Sequence, residues 1–292
     1  MSLNEEVRLR LFRFDPSRDP HPYYEEHTIL RKPSMRVLDV VNYVYEQGDL
    51  DIGYRWFCGT KKCGECAMMV NGRPMLSCWE PALAEMTLEP LANFPVIRDL
   101  VVDTAAYEKV IMELEPLMRR RRAPDFPEKI AHADMDMAHR LSKCIECNVC
   151  TAAVSVKALG SNGVDWSENA GCAALVRFAR FVLDPRDETP RNALAEQAGL
   201  AKFPLWSVLH DICPQGIDII NEALIPSRER LFGPIKDSVC ESTSSPVFVM
   251  SERWCGFVHL SNAYKQELHA TGRLESLTHG GVEEAYRFTY ND

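Results

Sequence analysis

Four cysteines in the first third of the chain limit most sharply what it can fold into. They follow the pattern C-x4-C-x2-C-x11-C, at Cys58, Cys63, Cys66 and Cys78. Three of them share one short loop with Gly59 and Gly64, whose lack of a side chain lets the backbone wrap closely and leaves its amides free to point at sulfur. The fourth closes a hairpin that Asn71-Gly72 predicts. Four thiols that converge in this way predict a compact metal centre.

The spacing of these cysteines is that of plant-type ferredoxins, which use it to hold a [2Fe–2S] cluster. We therefore predict a [2Fe–2S] cluster on this set. A zinc site is one alternative, although zinc ligands favour C-x2-4-C pairs that are separated by a longer gap. A set of unrelated buried thiols is the other alternative.

A second group of cysteines lies in the middle of the chain. Cys144, Cys147 and Cys150 form C-x2-C-x2-C, the spacing that grips one side of a [4Fe–4S] cubane in bacterial ferredoxins. The fourth ligand must come from elsewhere, and Cys213, before Pro214, is the only cysteine that a proline follows. We predict a [4Fe–4S] cluster on these four residues. A zinc knuckle or a group of reactive thiols is the alternative.

Three of the 11 cysteines remain outside these two sets. Cys172 lies beside an apolar helix predicted over Ala173–Leu183, and we interpret it as a small core residue. Cys240 and Cys255 lie near the end of the chain and are too few to complete a further cluster alone. An odd number of cysteines argues against a disulfide framework, so metal binding is the default interpretation.

Charge and hydropathy exclude several classes of protein. The formal net charge is −9, and no region is basic enough to predict binding of nucleic acid. The basic run Arg119–Arg122 is interpreted as a solvated helix end, with docking of an acidic partner as the alternative. No apolar stretch approaches the length of a membrane span, and the N-terminus lacks the features of a signal peptide. We expect a cytoplasmic protein whose thiols stay reduced.

The hydrophobic pattern predicts an α+β protein with a β-rich part followed by a helical part. Residues 1–103 combine short strands, the Asn71-Gly72 hairpin and one amphipathic helix that begins at Val37 and stops near Gly48. Residues 104–234 are mainly helical, and the last predicted helix, marked by Ile217, Ile220 and Leu224, is expected to stop at Pro226. Residues 235–292 are predicted to be a poorly specified extension.

Several longer motifs resemble the iron–sulfur subunits of the succinate dehydrogenase and fumarate reductase family. The loop from Cys58 to Cys66 is followed by Ala-Met and an Asn-Gly turn, close to the family's C-x4-C-G-x-C-A-M. The motifs that also match are Leu88 to Asp103 (LEPLANFPVIRDLVVD), Ala170-Gly171 with Arg177-Phe178, Asp184 to Asp187 (DPRD), and Cys213-Pro214. The resemblance covers about residues 7–232 and is carried by the junction motif at Leu88 more than by the cysteines.

The resemblance implies a plant-ferredoxin-like (β-grasp) N-terminal domain followed by an α-helical ferredoxin domain. It also implies an FAD-bearing flavoprotein partner that performs the chemistry, and a membrane anchor or another acceptor subunit through which the chain would sit at the cytoplasmic face of the membrane. The iron–sulfur subunit carries electrons between that flavin and an acceptor. It therefore needs no catalytic acid, base or nucleophile of its own.

One departure from the family concerns a third cluster, [3Fe–4S], which family members normally carry. Its three ligands would fall at Val154, Phe203 and Leu209, so we predict that this cluster is absent. The family's quinone site draws on the same stretch, which here includes Lys157–Gly160. Trp166 and His210 lie nearby but do not match residue by residue. We therefore do not expect quinone to be reduced in the usual way.

Three other interpretations of the sequence stay open. One is the same type of subunit in a complex with a different substrate and a non-quinone acceptor. Another is the small subunit of a molybdenum hydroxylase, although such subunits resemble C-x2-C…C-x-C in their second domain and this chain has no C-x-C. The last is a zinc-stabilised structural protein without redox activity.

Overall fold

The computed structural model describes residues 6–48, 51–123, 126–154, 170–233, 247–251 and 254–258. Ser155, the stretch Lys157–Gly160, Trp166 and Cys240 lie outside these residues. The described residues up to 203, together with 208–233, form one compact unit. Residues 204–207 and a C-terminal hairpin belong to a second unit.

A five-stranded mixed sheet forms the first part of the compact unit, in the order β2-β1-β5-β3-β4. Strand β1 pairs antiparallel with β2 and parallel with β5, while β3 is antiparallel to both β4 and β5. The strands are β1 (Glu6–Arg13), β2 (Tyr23–Leu30), β3 (Ala67–Val70), β4 (Arg73–Leu76) and β5 (Glu85–Glu89). Two further short strands, β6 (Val96–Arg98) and β7 (Val101–Val102), pair only with each other.

One helix, α1 (Val37–Gln47), packs against this sheet. Alternate residues of β1 are buried, so the apolar side chains of Val7, Leu9 and Leu11 line one face of the sheet. The apolar stripe of α1 covers this face, and the helix ends at Gly48 as predicted. A mixed sheet wrapped over a single helix confirms the predicted ferredoxin-like β-grasp fold.

The second part of the unit is built from helices. They are α2 (Ala105–Glu113), α3 (His132–Leu141), α4 (Val149–Ala153), α5 (Gly171–Val182), α6 (Asn192–Gln197), a π-helical segment (Ile219–Leu224) and α7 (Ile225–Phe232). Two 3-10 turns, Leu200–Lys202 and Ser207–His210, connect α6 to the π-helical segment. Helix α5 is buried over most of its length, and its small residues Ala173, Ala174 and Ala179 let neighbouring helices approach closely. The predicted α+β class is confirmed.

The predicted end of the last helix at Pro226 is wrong. The π-helical segment ends at Leu224, and α7 continues from it with Pro226 in its first turn. The first turn of an α-helix has no intrahelical partner for its amides, so a residue without an N–H is tolerated there. The change from π-helical to α-helical bonding thus lets the chain pass through a proline that a continuous α-helix would not accept.

The basic run Arg119–Arg122 is paired with carboxylates of the same chain. Arg119 forms an ion pair with Glu115 at 2.8 Å and Arg120 one with Glu128 at 2.7 Å, while the amide of Arg121 donates to Glu188. This pairing favours the interpretation as a solvated segment over docking of an acidic partner.

The predicted extension contains a β-hairpin within its described residues. Strand β8 (Val247–Ser251) pairs antiparallel with β9 (Trp254–Val258), which places Cys255 opposite Met250. No helix among the described residues is long and apolar enough to cross a membrane.

Candidate iron–sulfur centres

The loop between α1 and β3 turns backbone amides toward the sulfur of Cys58. The amides of Thr60, Lys62 and Cys63 each lie 3.3 Å from Cys58 Sγ. The amide of Cys58 in turn donates to Cys63 Sγ at 3.5 Å. These donors, first those of Thr60 and Lys62, lower the pKa of the Cys58 thiol to about 6. The loop therefore favours a thiolate at Cys58, which is the form that binds iron.

The other two cysteines of the first set form a second pair. Cys66 precedes β3 and Cys78 follows β4, so the β3–β4 hairpin brings them together, and both are buried. Their side chains are hydrogen-bonded, and burial is the main cause that raises the pKa of the Cys66 thiol to about 11. A partner that takes the proton's place, such as iron, would have to stabilise this thiolate.

The second predicted set of cysteines meets at one cavity. Cys144, Cys147, Cys150 and Cys213 all line a cavity with an empty volume of about 340 Å³, together with apolar residues that include Val176 and Ile217. Cys144 and Cys147 precede α4, Cys150 lies on its first turn, and Cys213 follows the 3-10 turn at Ser207–His210. Chain segments that are distant in sequence therefore supply the four thiols to one small space.

Backbone amides point at these sulfurs as well. Each of three cysteines accepts a hydrogen bond from the amide two residues later, namely Cys144 from Glu146, Cys147 from Val149 and Cys213 from Gln215. The left-handed backbone at Glu146 and Asn148 produces this turn between the cysteines. Burial nevertheless raises the pKa of the Cys144 thiol to about 12 and raises that of Cys147 and Cys213. Amides that face buried sulfurs are the donors by which proteins tune iron–sulfur clusters.

The two sets suit clusters better than single metal ions. Within the described ranges, no group of three or more His, Cys, Asp or Glu side chains converges on a point that would hold one ion. A zinc site needs four ligands around one point, whereas a cluster spreads its four thiolates over several irons. The chemistry of the donors is all thiol, as iron–sulfur clusters require.

Sequence reasoning missed three residues that the structure puts beside these cysteines. Cys172, interpreted as a core residue, is fully buried but also forms a side-chain hydrogen bond with Cys150. Gly64 touches the loop that carries Cys147, and Gln215 binds the loop that carries Cys58. The sequence signals were present, because Gly64 lies inside the first motif and Gln215 follows Cys213-Pro214, but a motif does not say what lies across from it.

The residues expected to replace the third cluster's ligands are all buried. Val154, Phe203 and Leu209 are each exposed by 3% or less. His210, which lies beside Leu209, forms a contact of 3.0 Å from its Nδ1 to the carboxylate of Asp218. That carboxylate also accepts from the amide and side chain of Asn221.

Comparison with known proteins agrees with this arrangement. Residues 8–109 match the family model described as a 2Fe-2S iron-sulfur cluster binding domain. The fumarate reductase iron-sulfur subunit of Wolinella succinogenes is 31% identical over 228 residues, which cover 73% of this chain and 92% of that protein. A subunit of the fumarate reductase (CoM/CoB) of Methanothermobacter marburgensis is 28% identical over 218 residues, but these span only 43% of its length.

A solved structure is similar over most of its length. A chain of the Mycobacterium smegmatis Sdh1 complex in the apo form superposes with a TM-score of 0.71 and 26% identity, covering 78% of this chain and 96% of that one. Fold, cysteine motifs and relatives therefore agree, and the chain belongs to the electron-transferring iron–sulfur subunits of the succinate dehydrogenase and fumarate reductase family.

Proposed function

We propose that this chain conducts electrons between an FAD-containing flavoprotein subunit and an acceptor by way of two clusters. The [2Fe–2S] cluster would be held by Cys58, Cys63, Cys66 and Cys78, and the [4Fe–4S] cluster by Cys144, Cys147, Cys150 and Cys213. When bound, such clusters take up and release single electrons with little change in geometry. The observation that carries the proposal is the meeting of the second set, from three separate segments, around one cavity.

The chain's own contribution is to hold the sulfurs and to balance their charge. Amides of Thr60, Lys62 and Cys63 oppose the negative charge that builds up at Cys58 on reduction. The second set is more deeply buried, since burial raises the pKa of all four of its thiols. Burial disfavours added negative charge, so the two environments give the two centres different potentials.

The surface beside the first set fits a protein partner. Trp56 and Phe57 immediately precede Cys58 and have 48% and 80% of their surface exposed. They line an open groove together with Tyr45 and Tyr54. Exposed aromatic side chains that lie together mark interaction surfaces, and we assign this surface, Trp56-Phe57 with its groove, to the flavoprotein.

The acceptor is proposed to be something other than a quinone at a third cluster. The positions of the missing ligands hold the buried apolar residues Val154, Phe203 and Leu209. The name of the related Methanothermobacter marburgensis protein refers to CoM and CoB, so at least one relative is not named for a quinone. A soluble carrier or another subunit that docks near Cys213 would serve as the acceptor. The substrate of the flavoprotein is proposed to be a dicarboxylate such as fumarate or succinate, with a different substrate as the second candidate.

Anaerobic spectroscopy of the purified chain tests the proposal. We expect visible absorption and two paramagnetic resonance signals after reduction with dithionite. Cys63→Ser should remove only the [2Fe–2S] signal and Cys147→Ser only the [4Fe–4S] signal. Cys172→Ala, which removes a thiol outside both sets, should keep both. A colourless chain without resonance signals would contradict the proposal.

A further inference from the structure

The two cysteine-bearing loops touch each other at Gly64. A methyl group added there would lie 2.9 Å from the carbonyl oxygen of Ile145 and 3.0 Å from Cβ of Cys147. It would also lie 3.1 Å from Cα of Cys147. Two of these three neighbours are backbone atoms, which cannot swing aside as a long side chain would. Any residue larger than glycine at position 64 must therefore push the two loops apart.

A hydrogen bond joins the same two regions at a second point. Gln215 Nε2 donates to the carbonyl oxygen of Lys61 at 2.8 Å. Lys61 lies between Cys58 and Cys63, and Gln215 lies two residues after Cys213. The first loop is thus fixed to the second set of cysteines at two points.

The space around this contact is packed with apolar side chains. Cys66, Cys78 and Val149 are buried in one hydrophobic cluster, against which Ile145 and Cys147 also pack. Ligands of both proposed clusters therefore share one core without a layer of solvent between them. Such a core is closely packed and resists small displacements.

From these contacts we propose that Gly64 is a positioning residue that sets the gap across which the two clusters exchange electrons. Gly64 is bonded to Cys63, a proposed ligand of the first cluster, and touches Cys147, a proposed ligand of the second. Electron tunnelling weakens exponentially as the gap between two centres widens. The inference rests on the proposed function, because it requires both clusters.

The experiment compares Gly64→Ala with Gly59→Ala in the full chain carrying its clusters. Both glycines lie in the same loop with positive φ, +82° and +64°, but a methyl group at Gly59 meets nothing within 4 Å. The two variants therefore share the backbone strain and differ in the steric contact. Pulsed paramagnetic resonance measures the magnetic interaction between the two reduced clusters, and flash reduction measures the rate of electron exchange between them.

We expect Gly64→Ala to retain both signals while the magnetic interaction weakens and electron exchange slows. Gly59→Ala should match the wild type in both measurements. An interaction in Gly64→Ala as strong as in the wild type would overturn the inference and leave the proposed function intact. Absence of one cluster from the wild type would instead refute the proposed function.

A second variant covers the case in which Gly64→Ala fails to fold. Gln215→Leu keeps the side-chain size but removes the donor to Lys61, so the loops lose one of their two fixed points. We expect a weaker magnetic interaction in this variant, with both signals retained. An unchanged interaction in Gln215→Leu would count against the proposed control of the gap.

Discussion

Cys150 and Cys172 form a side-chain hydrogen bond between two buried helices, α4 and α5. That bond and burial together raise the pKa of the Cys150 thiol well above its ordinary range. With iron in place of its proton, Cys150 would be a thiolate acceptor, and the Cys172 thiol would be the donor. Cys172 is therefore more than a small residue that fills the core.

Replacement of Cys172 should shift the potential of the [4Fe–4S] cluster. Cys172→Ala removes a donor to a ligand sulfur, and such donors stabilise the more negative, reduced form. A hydrogen bond contributes about 1 kcal/mol, so the midpoint potential should fall on the order of 40 mV. A redox titration monitored by paramagnetic resonance measures it.

The control for this prediction is Cys172→Ser, which keeps a donor of similar size at the same place. Its potential should stay closer to that of the wild type than the potential of Cys172→Ala. Equal potentials in the wild type and Cys172→Ala would show that the hydrogen bond does not act on the cluster.

Removal of the Arg191 guanidinium should destabilise the helical part strongly. This side chain is buried, pairs with Asp187 at 2.5 Å and donates to the carbonyl oxygens of Glu115 and Leu117 at 3.2 and 2.8 Å. Arg191→Ala would leave a buried carboxylate and these carbonyls without their donor. We expect a loss of about 3–5 kcal/mol in the free energy of unfolding, measured by denaturation in urea.

Arg121 supplies the matched control. Its side chain is largely exposed and lies 3.9 Å from the carboxylate of Glu188. Arg121→Ala should cost less than about 1 kcal/mol, because exposed ion pairs contribute little. Similar losses in the two variants would contradict the structural role given to Arg191.

The same ion pair should make stability depend on acid. Burial acts to raise the pKa of Asp187, but the amide of Arg119, the hydroxyl of Thr189 and the guanidinium of Arg191 hold it below its ordinary value. A carboxyl group whose pKa is lowered on folding stabilises the protein above its unfolded pKa of about 3.9. That stabilisation is lost as the pH falls through the lower, folded value.

We therefore expect the urea midpoint of the wild type to fall as the pH drops from about 6 to about 3. Asp187→Asn cannot ionise, so its stability should be lower near neutral pH and should change less over this window. Parallel pH profiles of the two proteins would disprove a contribution from Asp187.

Local patterns predict much of this molecule, and contacts between distant residues account for what they miss. The cysteine spacings, the Asn71-Gly72 turn and the alternation in β1 are all properties of short segments. The helix end predicted at Pro226 is wrong because tolerance of that proline depends on the π-helical segment before it. The contacts of Gly64 and Cys172 bring together residues more than 20 positions apart, and no periodicity encodes them.

Iron content should distinguish a two-cluster chain from a three-cluster chain. One [2Fe–2S] and one [4Fe–4S] cluster give about six irons per chain, and a further [3Fe–4S] cluster would give about nine. We expect about six, because Val154, Phe203 and Leu209 offer no thiol where the family's third cluster is bound. Iron and labile sulfide assays on the anaerobic protein, normalised to amino-acid analysis, give the number. A value near nine would require ligands from elsewhere in the chain.

Loss of the exposed aromatic ring at Phe57 should weaken binding of the flavoprotein subunit. The ring is 80% exposed beside Cys58, so its removal should cost little folding stability while it takes apolar area from the proposed docking surface. We expect Phe57→Ser to raise the dissociation constant by about tenfold or more, measured by titration of the two purified subunits. Met112→Ser is the control, because Met112 is 70% exposed on α2, outside the proposed surface. Equal effects of the two substitutions would show that binding responds to lost apolar area in general, and the assignment of this surface to the flavoprotein would fail.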